Sequence, residues 1–284
     1  MRSLILDLLE KKGDLPPFPE IIMKLQKIVQ DPDAGIIDVV NLIKMDPALA
    51  GSIIKLASSA LYSKGFKGDK TLMSSVQKLG LNNIKQIVFS VELSRLFTKS
   101  RSIDSKSFWR HSVAVALVTQ RLSHYIEISN QVQETAYLAG LMHDIGIMVF
   151  SYLVPDAYVE FLVNAQKEEK PLHVLENEAF GIDHQELGAL FVKKWWHLKE
   201  DIINSIEYHH FPFKGTSDEI QCQQLVNVAN GMCNIHGITN GIDIYQELFR
   251  EGAWEGLGLS LADAESMIKD VNLSIDQAYE MLSI

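Results

Sequence analysis

His184-Gln185-Glu186-Leu187-Gly188-Ala189-Leu190-Phe191-Val192-Lys193-Lys194-Trp195 places His184, Leu187, Gly188, Phe191, Val192 and Trp195 at i, i+3, i+4, i+7, i+8 and i+11. Residues at those intervals share one side of an α-helix, whereas a strand would scatter them over both faces. Asp183 precedes the run and Glu186 follows it by three, the spacing of a capping box that starts a helix. The apolar face of this helix therefore begins with an imidazole, a group that is costly to bury without a partner. By the same reading Trp195 points inward and Trp196, ~100° further round, is partly exposed.

The helical period extends outward from this stretch through nearly the whole chain. Ile21, Ile22, Leu25, Ile28 and Val29 form one stripe after Pro16, Pro17 and Pro19, and Asp31-Pro32-Asp33 ends it. Ile36, Ile37, Val40 and Ile43 form the next, up to Asp46-Pro47, an N-cap followed by proline in the first turn of a third helix carrying Ile53, Ile54 and Ala57. The Ser/Gly-rich stretch from Ser58 to Gly68 reads as a loop, Ser74 to Leu79 as a short helix capped by Gly80, and Ile84 to Phe97 as another helix. Helices are further predicted near 108–124, 131–143, 155–168 and 171–179, and the stretch from Gly252 to Gly258 reads as a connection between helices. Alternation of the strand kind is nowhere sustained, so the fold class is all-α.

Residues 98–106 carry one apolar side chain in nine and are the best linker in the chain. This divides the sequence into an N-terminal amphipathic helix over 1–14, a helical lobe over 15–100, and a second helical lobe with a C-terminal tail over 107–284. The length of 284 residues agrees with two domains at about 150 residues each. With 47% apolar residues the core needs no covalent staple. Cys222 and Cys233 lie eleven apart without a CxxC, which fits a reducing cytosol better than a disulfide framework or a zinc knuckle.

The net charge of -10, from 26 basic against 36 acidic residues, argues against a nucleic-acid binder, which needs a clustered basic footprint. Asp7 interrupts the first apolar run too early for a signal peptide, and the run Val113 to Val118 is only six long, so no membrane span is expected. The expected location is the cytoplasm.

Five of the nine histidines, with one Asp, fall where apolar stripes point inward: His111, His143-Asp144, His184 and His209-His210. His111 heads the run Val113 to Val118, the doublet follows Tyr137 to Met142, and the His pair ends the stripe through Ile202 and Ile206. Imidazoles and a carboxylate converging inside a helical bundle are good ligands for iron, zinc, manganese or nickel. For any one of them alone, a hydrogen bond to a neighbouring helix is the commoner explanation; their number favours a shared site. His124, His173, His197 and His236 fall at helix ends or in polar stretches and read as ordinary capping or surface histidines.

The order His111, His143-Asp144, His184, His209-His210 resembles the HD superfamily of metal-dependent phosphohydrolases. The likeness is greater to one branch, the HDOD domains (HD-related output domains) of bacterial signal transduction. It is carried by Leu15-Pro16-Pro17-Phe18-Pro19-Glu20, Asp46-Pro47-Ala48-Leu49, Leu56 to Tyr62, Phe108-Trp109-Arg110-His111-Ser112, Ala139 to Gly146 and Phe180-Gly181-Ile182-Asp183-His184, and covers about residues 15–240. The resemblance implies an all-helical HD-type bundle with an added N-terminal lobe. It also implies His111, His143 and Asp144 as primary metal ligands, His184, His209 and His210 as additional ones, and one or two divalent ions.

The departures concern catalysis. The family's last carboxylate ligand is matched by Asn230, its phosphate-contacting lysine after the doublet by Ile147, and its GYP stretch by Phe211-Pro212-Phe213-Lys214-Gly215. An amide brings no charge, and an aliphatic side chain offers no hold on phosphate, so water activation and phosphoryl stabilisation are both weakened. The resemblance then implies a non-hydrolytic regulatory module acting on a signalling protein partner. The alternatives are a phosphodiesterase for a nucleotide or cyclic dinucleotide, with a nucleotide as ligand, and a helical scaffold without metal. Within these 284 residues no receiver, cyclase or DNA-binding segment is evident, so signals are expected to arrive and leave by non-covalent contact. Leu61-Tyr62 and Phe66 suggest either an aromatic docking patch or a loop anchor.

Overall fold

Side-chain caps start several of the helices. In the computed structural model, which describes residues 1–11, 15–59, 71–97, 102–126, 128–211, 215–242 and Leu257, Asp46 accepts the Leu49 amide and starts a helix with Pro47 in its first turn. Such a cap contributes about 1 kcal/mol. The helices, in chain order, are α1 (Arg2–Lys11), α2 (Glu20–Gln30), α3 (Ile36–Lys44), α4 (Pro47–Ala57), α5 (Leu72–Leu96), α6 (Ser105–Tyr125), α7 (Asn130–Met142), α8 (Ile145–Leu153), α9 (Pro155–Ala165), α10 (Leu172–Phe180), α11 (His184–Phe191), α12 (Glu200–Glu207) and α13 (Ser217–Ile235). No strand occurs among the described residues. The expected docking patch at Leu61-Tyr62 and Phe66 lies outside them, as do the C-terminal tail and, apart from Leu257, the Gly252 to Gly258 connection.

Two units emerge. One takes the described residues of Phe18–Thr98 and holds α2 to α5; the other combines Met1–Pro17 with the described residues of Lys99–Val271 and holds α1 and α6 to α13. In the first, α2, α3 and α4 all pack on α5, which breaks at Gly80 (φ 76°), the position read from sequence as a helix end. The α3 stripe differs from expectation at Ile37, which is 62% exposed, while Val39 and Leu42 join Val40 and Ile43 inside. Ile37 lies ~100° round the helix from Ile36, on the solvent side of that stripe.

In the second unit α6 and α7 form the central pair, flanked by α12 and α13, and α8 packs on α11. The N-terminal helix belongs to this unit: Ile5 and Leu9 are buried, and Arg2 donates to the Gly181 carbonyl and to the Glu186 carboxylate. Glu186 thus does not complete the reciprocal capping box; Asp183 alone caps α11, accepting the Glu186 amide at 2.9 Å. By length and composition alone the segment Asn130–Leu153 could cross a membrane, although no span is expected from the sequence. Its most apolar window is 89% buried inside the protein, and the His143-Asp144 doublet divides it into α7 and α8.

The tryptophan pair is reversed from expectation: Trp196 is buried and Trp195 half-buried. Val192–Trp196 forms a π-helical turn, and its i→i+5 bonding advances each residue through less rotation than an α-helix does. By the end of this turn the inward position has slipped by one residue. Trp196 then donates Nε1–H to the Pro16 carbonyl at 3.3 Å and packs edge-on against Phe191.

Candidate metal centre

Every member of the predicted constellation stands at a helix end or a close helix crossing. His143 ends α7 and Asp144 precedes α8, His184 is the first residue of α11, and His209-His210 follow α12, while His111 sits in the first half of α6. Two glycines let these helices approach. A Cβ on Gly146 would lie 1.8 Å from the His184 carbonyl oxygen, and one on Gly140 would lie 2.8 Å from the Ala116 Cα. These crossings bring Asp144 to His184 and His143 to His111.

The five imidazoles gather around the Asp144 carboxylate. Its Oδ2 lies 3.3 Å from His143 Nε2 and 3.9 Å from His111 Nε2, and its Oδ1 lies 3.6 Å from His209 Nε2 and 3.7 Å from His184 Nε2. His210 joins through its Nε2, 3.2 Å from that of His184. Two sets of donors, His111/His143/Asp144 and His184/His209/His210, each have ligand atoms within 4.8 Å of one another. Asp144 thus turns one oxygen towards each set.

The other ring nitrogens are committed. His111 Nδ1 meets the Ile238 carbonyl at 2.6 Å, His143 Nδ1 that of Gly140 at 2.8 Å, and His209 Nδ1 that of Ile206 at 2.8 Å. A carbonyl can only accept, so each Nδ1 carries the proton and each Nε2, in a neutral ring, carries a lone pair. These three Nε2 atoms are buried and make no hydrogen bond. Lone pairs fixed in direction by hydrogen bonds on the far side of the ring are the usual arrangement of metal-binding imidazoles. The residues therefore fit a divalent ion.

Electrostatics favours neutral rings at His111, His209 and His210. Burial, aided by the neighbouring His143, lowers the His111 pKa to about 4; burial, against the pull of Asp144, does the same for His209. Burial and the neighbouring His209 and His184 hold His210 well below the usual histidine range. Burial disfavours ionised Asp144, yet the imidazoles of His143, His209 and His184 keep its carboxyl well below the usual carboxylate range. His184 is the exception: burial opposes its protonation, but Glu176 and Asp144 lift it to about 9.

Four residues at this centre are not assigned to it from the sequence. Glu176, fully buried, accepts the His184 Nδ1–H at 2.6 Å and the His184 amide at 2.8 Å. Tyr158 donates its hydroxyl to the other Glu176 oxygen at 2.6 Å. Asn240 donates to Asp144 Oδ2 at 2.9 Å. His173, read as an ordinary histidine, is buried with its Nδ1 unpartnered and its ring stacked on His210 at 4.5 Å. A signal existed for Glu176: it stands four residues from both Leu172 and Phe180, a lone carboxylate on an apolar stripe.

Of the departures, Asn230 lies against the His111 ring and accepts from Asn234, so it does face the cluster. Ile147 is fully buried in α8. In the GYP-matched stretch, Phe211 is exposed and Gly215 follows, while Pro212-Phe213-Lys214 lie outside the described residues.

The fold is similar to that of an HDOD domain protein of unknown function from Geobacter sulfurreducens, with a TM-score of 0.79 at 24% identity over 99% of this chain and 96% of that one. A candidate signal transduction protein of Marinobacter aquaeolei VT8 gives 0.76 at 18% identity, over 100% of this chain and 66% of that one. A candidate metal-dependent phosphohydrolase of Shewanella amazonensis SB2B gives 0.68 at 23% identity, over 97% of this chain and 98% of that one. In sequence, an uncharacterised protein of Treponema pallidum (strain Nichols) is 26% identical over 208 residues, taking in 73% of this chain and 40% of that longer one. The HDOD domain model matches residues 15–212, a stretch that contains His111, His143, Asp144, His184, His209 and His210 and leaves Asn230 and Asn240 outside. The chain belongs to the HDOD domain family.

Proposed function

We propose that this chain is a cytoplasmic, non-hydrolytic regulatory module of bacterial signal transduction, whose His/Asp cluster holds one or two divalent ions and which acts on a protein partner by contact. The observation that carries the metal assignment is the set of three buried, unpartnered Nε2 atoms around one carboxylate, each ring held from behind by a carbonyl. His111, His143 and Asp144 would hold one ion and His184, His209 and His210 the other, with iron, zinc, manganese and nickel all suited to such donors. A bound divalent ion would supply Lewis acidity and would neutralise the buried carboxylates.

Three features support a regulatory over a hydrolytic role. Asn230 faces His111 without a charge, so it neither strengthens an ion's hold nor helps to acidify water. Asn240 ties down the Asp144 oxygen on that same side. Ile147, where a lysine would grip phosphate, is sealed in the core. The cysteines agree with a reducing compartment: both are free and buried, and burial lifts the Cys222 thiol to about 11, leaving it protonated and inert.

The second reading, a metal-dependent phosphohydrolase for a nucleotide or cyclic dinucleotide, rests on the six clustered side chains all being in place. Incubating metal-loaded protein with bis(p-nitrophenyl) phosphate, a nucleoside triphosphate and a cyclic dinucleotide separates the two. The expected result is no product above a protein-free control. Turnover that disappears in His143→Ala would establish the hydrolase instead.

A further inference from the structure

The two halves of the cluster are chemically unequal. His111, His143 and His209 lean on neutral carbonyls through Nδ1, but His184 leans on a carboxylate. Hydrogen bonds to ionised acceptors are shorter and roughly twice as strong as neutral ones, and they push electron density through the ring to the far nitrogen. The carboxylate is itself fixed: Glu176 accepts from the His184 ring and amide on one oxygen and from Tyr158 on the other. The Tyr158 ring is stacked on Phe150 at 5.0 Å and flanked by Phe161 and Phe180, so water is kept from this chain of bonds and the local dielectric is low. On the opposite side the Asp144 oxygen facing His111 and His143 is partly used by the Asn240 amide, and Asn230 adds no charge.

We infer that the cluster binds two ions with unequal affinity, the His184/His209/His210 half filling first, because Glu176, held by Tyr158, makes His184 the strongest donor of the set. Glu176 and Tyr158 are positioning residues: they act on an ion only through His184. The inference rests on the metal reading proposed above and adds to it an order of filling and the residues that set it.

Glu176 also caps the start of α11 through the His184 amide, so the test must separate capping from tuning. Glu176→Gln does this, since the amide keeps an oxygen for the His184 donors and can donate to the Tyr158 hydroxyl, losing only the charge. The probe is Co2+ added to the metal-stripped protein, read by visible absorption and by cobalt per chain. Wild type should titrate in two steps, with His210→Ala removing the tighter and His111→Ala the weaker. Glu176→Gln should weaken the tighter step by about 10- to 100-fold and leave the weaker one in place. A tighter step unchanged in Glu176→Gln, both steps weakened alike, or a tighter step lost in His111→Ala would each overturn the inference while leaving the metal reading intact. A wild-type protein that takes up no Co2+ would overturn both. Should Glu176→Gln fail to fold, Tyr158→Phe carries the test: a several-fold loss confined to the tighter step supports the inference, and no loss refutes it.

Discussion

The N-terminal lobe and the His/Asp lobe bury different kinds of side chain. Among the described residues of α2 to α5 the buried polar groups are Ser52, Ser75, Ser90 and Ser94, and each hydroxyl donates to a carbonyl of its own helix or the residue capping it. Among the described residues of that lobe the one buried side-chain polar atom without a hydrogen bond is Ser59 Oγ, just after α4. Around α6 to α12 the core instead takes in five histidines and two carboxylates, and four imidazole nitrogens of that lobe remain without hydrogen bonds. Leaving a buried donor or acceptor unpaired costs about 1–3 kcal/mol each, so a core that collects several has been shaped by something other than stability alone. The contrast separates a lobe whose buried polar groups are nearly all satisfied by their own helices from one whose unpaired imidazole nitrogens an ion would satisfy under the function proposed above.

The largest effect should come from the helix crossing that assembles the second lobe. Gly146→Ala would drive a methyl into the His184 carbonyl, and the needed shift separates α8 from α11. Chemical denaturation should show a loss of about 3 kcal/mol or more, with metal content falling as Asp144 and His184 part. A near-neutral result would mean that the close approach is not what holds the cluster together.

Acidity should come next and should act on the same lobe. In chelator-treated protein His111, His173 and His209 have pKa values near 4 when folded, against 6.5 when free, so between pH 6.5 and 4 the unfolded chain binds protons that the folded one refuses. Stability should therefore fall as pH drops through that window. His184 has the opposite sign: raised to about 9, its contribution is complete below 6.5 and is lost as pH rises through 9. A maximum of Tm near neutral pH is expected without metal, and a Tm indifferent to pH between 4 and 6.5 would contradict the burial of neutral imidazoles.

How much of this was legible in the sequence depended on whether the signal was local. Asp46, Gly80 and Asp183 act on neighbours within a few residues, and all three behave as read. The order of the six clustered side chains was legible because each lies on or beside an apolar stripe. Glu176, Tyr158 and Asn240 reach the centre from separate elements, across approaches that no spacing rule encodes. The tryptophan pair was misread because one π-turn moves everything after it by a residue, and α-helical spacing has no term for that.

Two smaller substitutions sharpen the contrast. Asn230→Asp should tighten divalent binding about 10-fold, since it restores charge beside His111; an unaltered affinity would mean the side chain does not reach the ion. Asp46→Ala removes the cap of α4 and its ion pair with Arg95, and should cost about 1 kcal/mol without changing metal content. A loss of metal in that variant would show that the two lobes are not the independent cases described above.

The most direct test of the central claim is element-resolved mass spectrometry of untagged protein purified without chelator, quantified per mole of chain, beside His143→Ala. The account predicts one or two equivalents of iron, zinc, manganese or nickel in the wild type and a lower Tm and metal content in the variant, because an ion that binds only the folded state stabilises it. Wild-type protein free of metal, or a His143→Ala variant with its metal content unchanged, would contradict it.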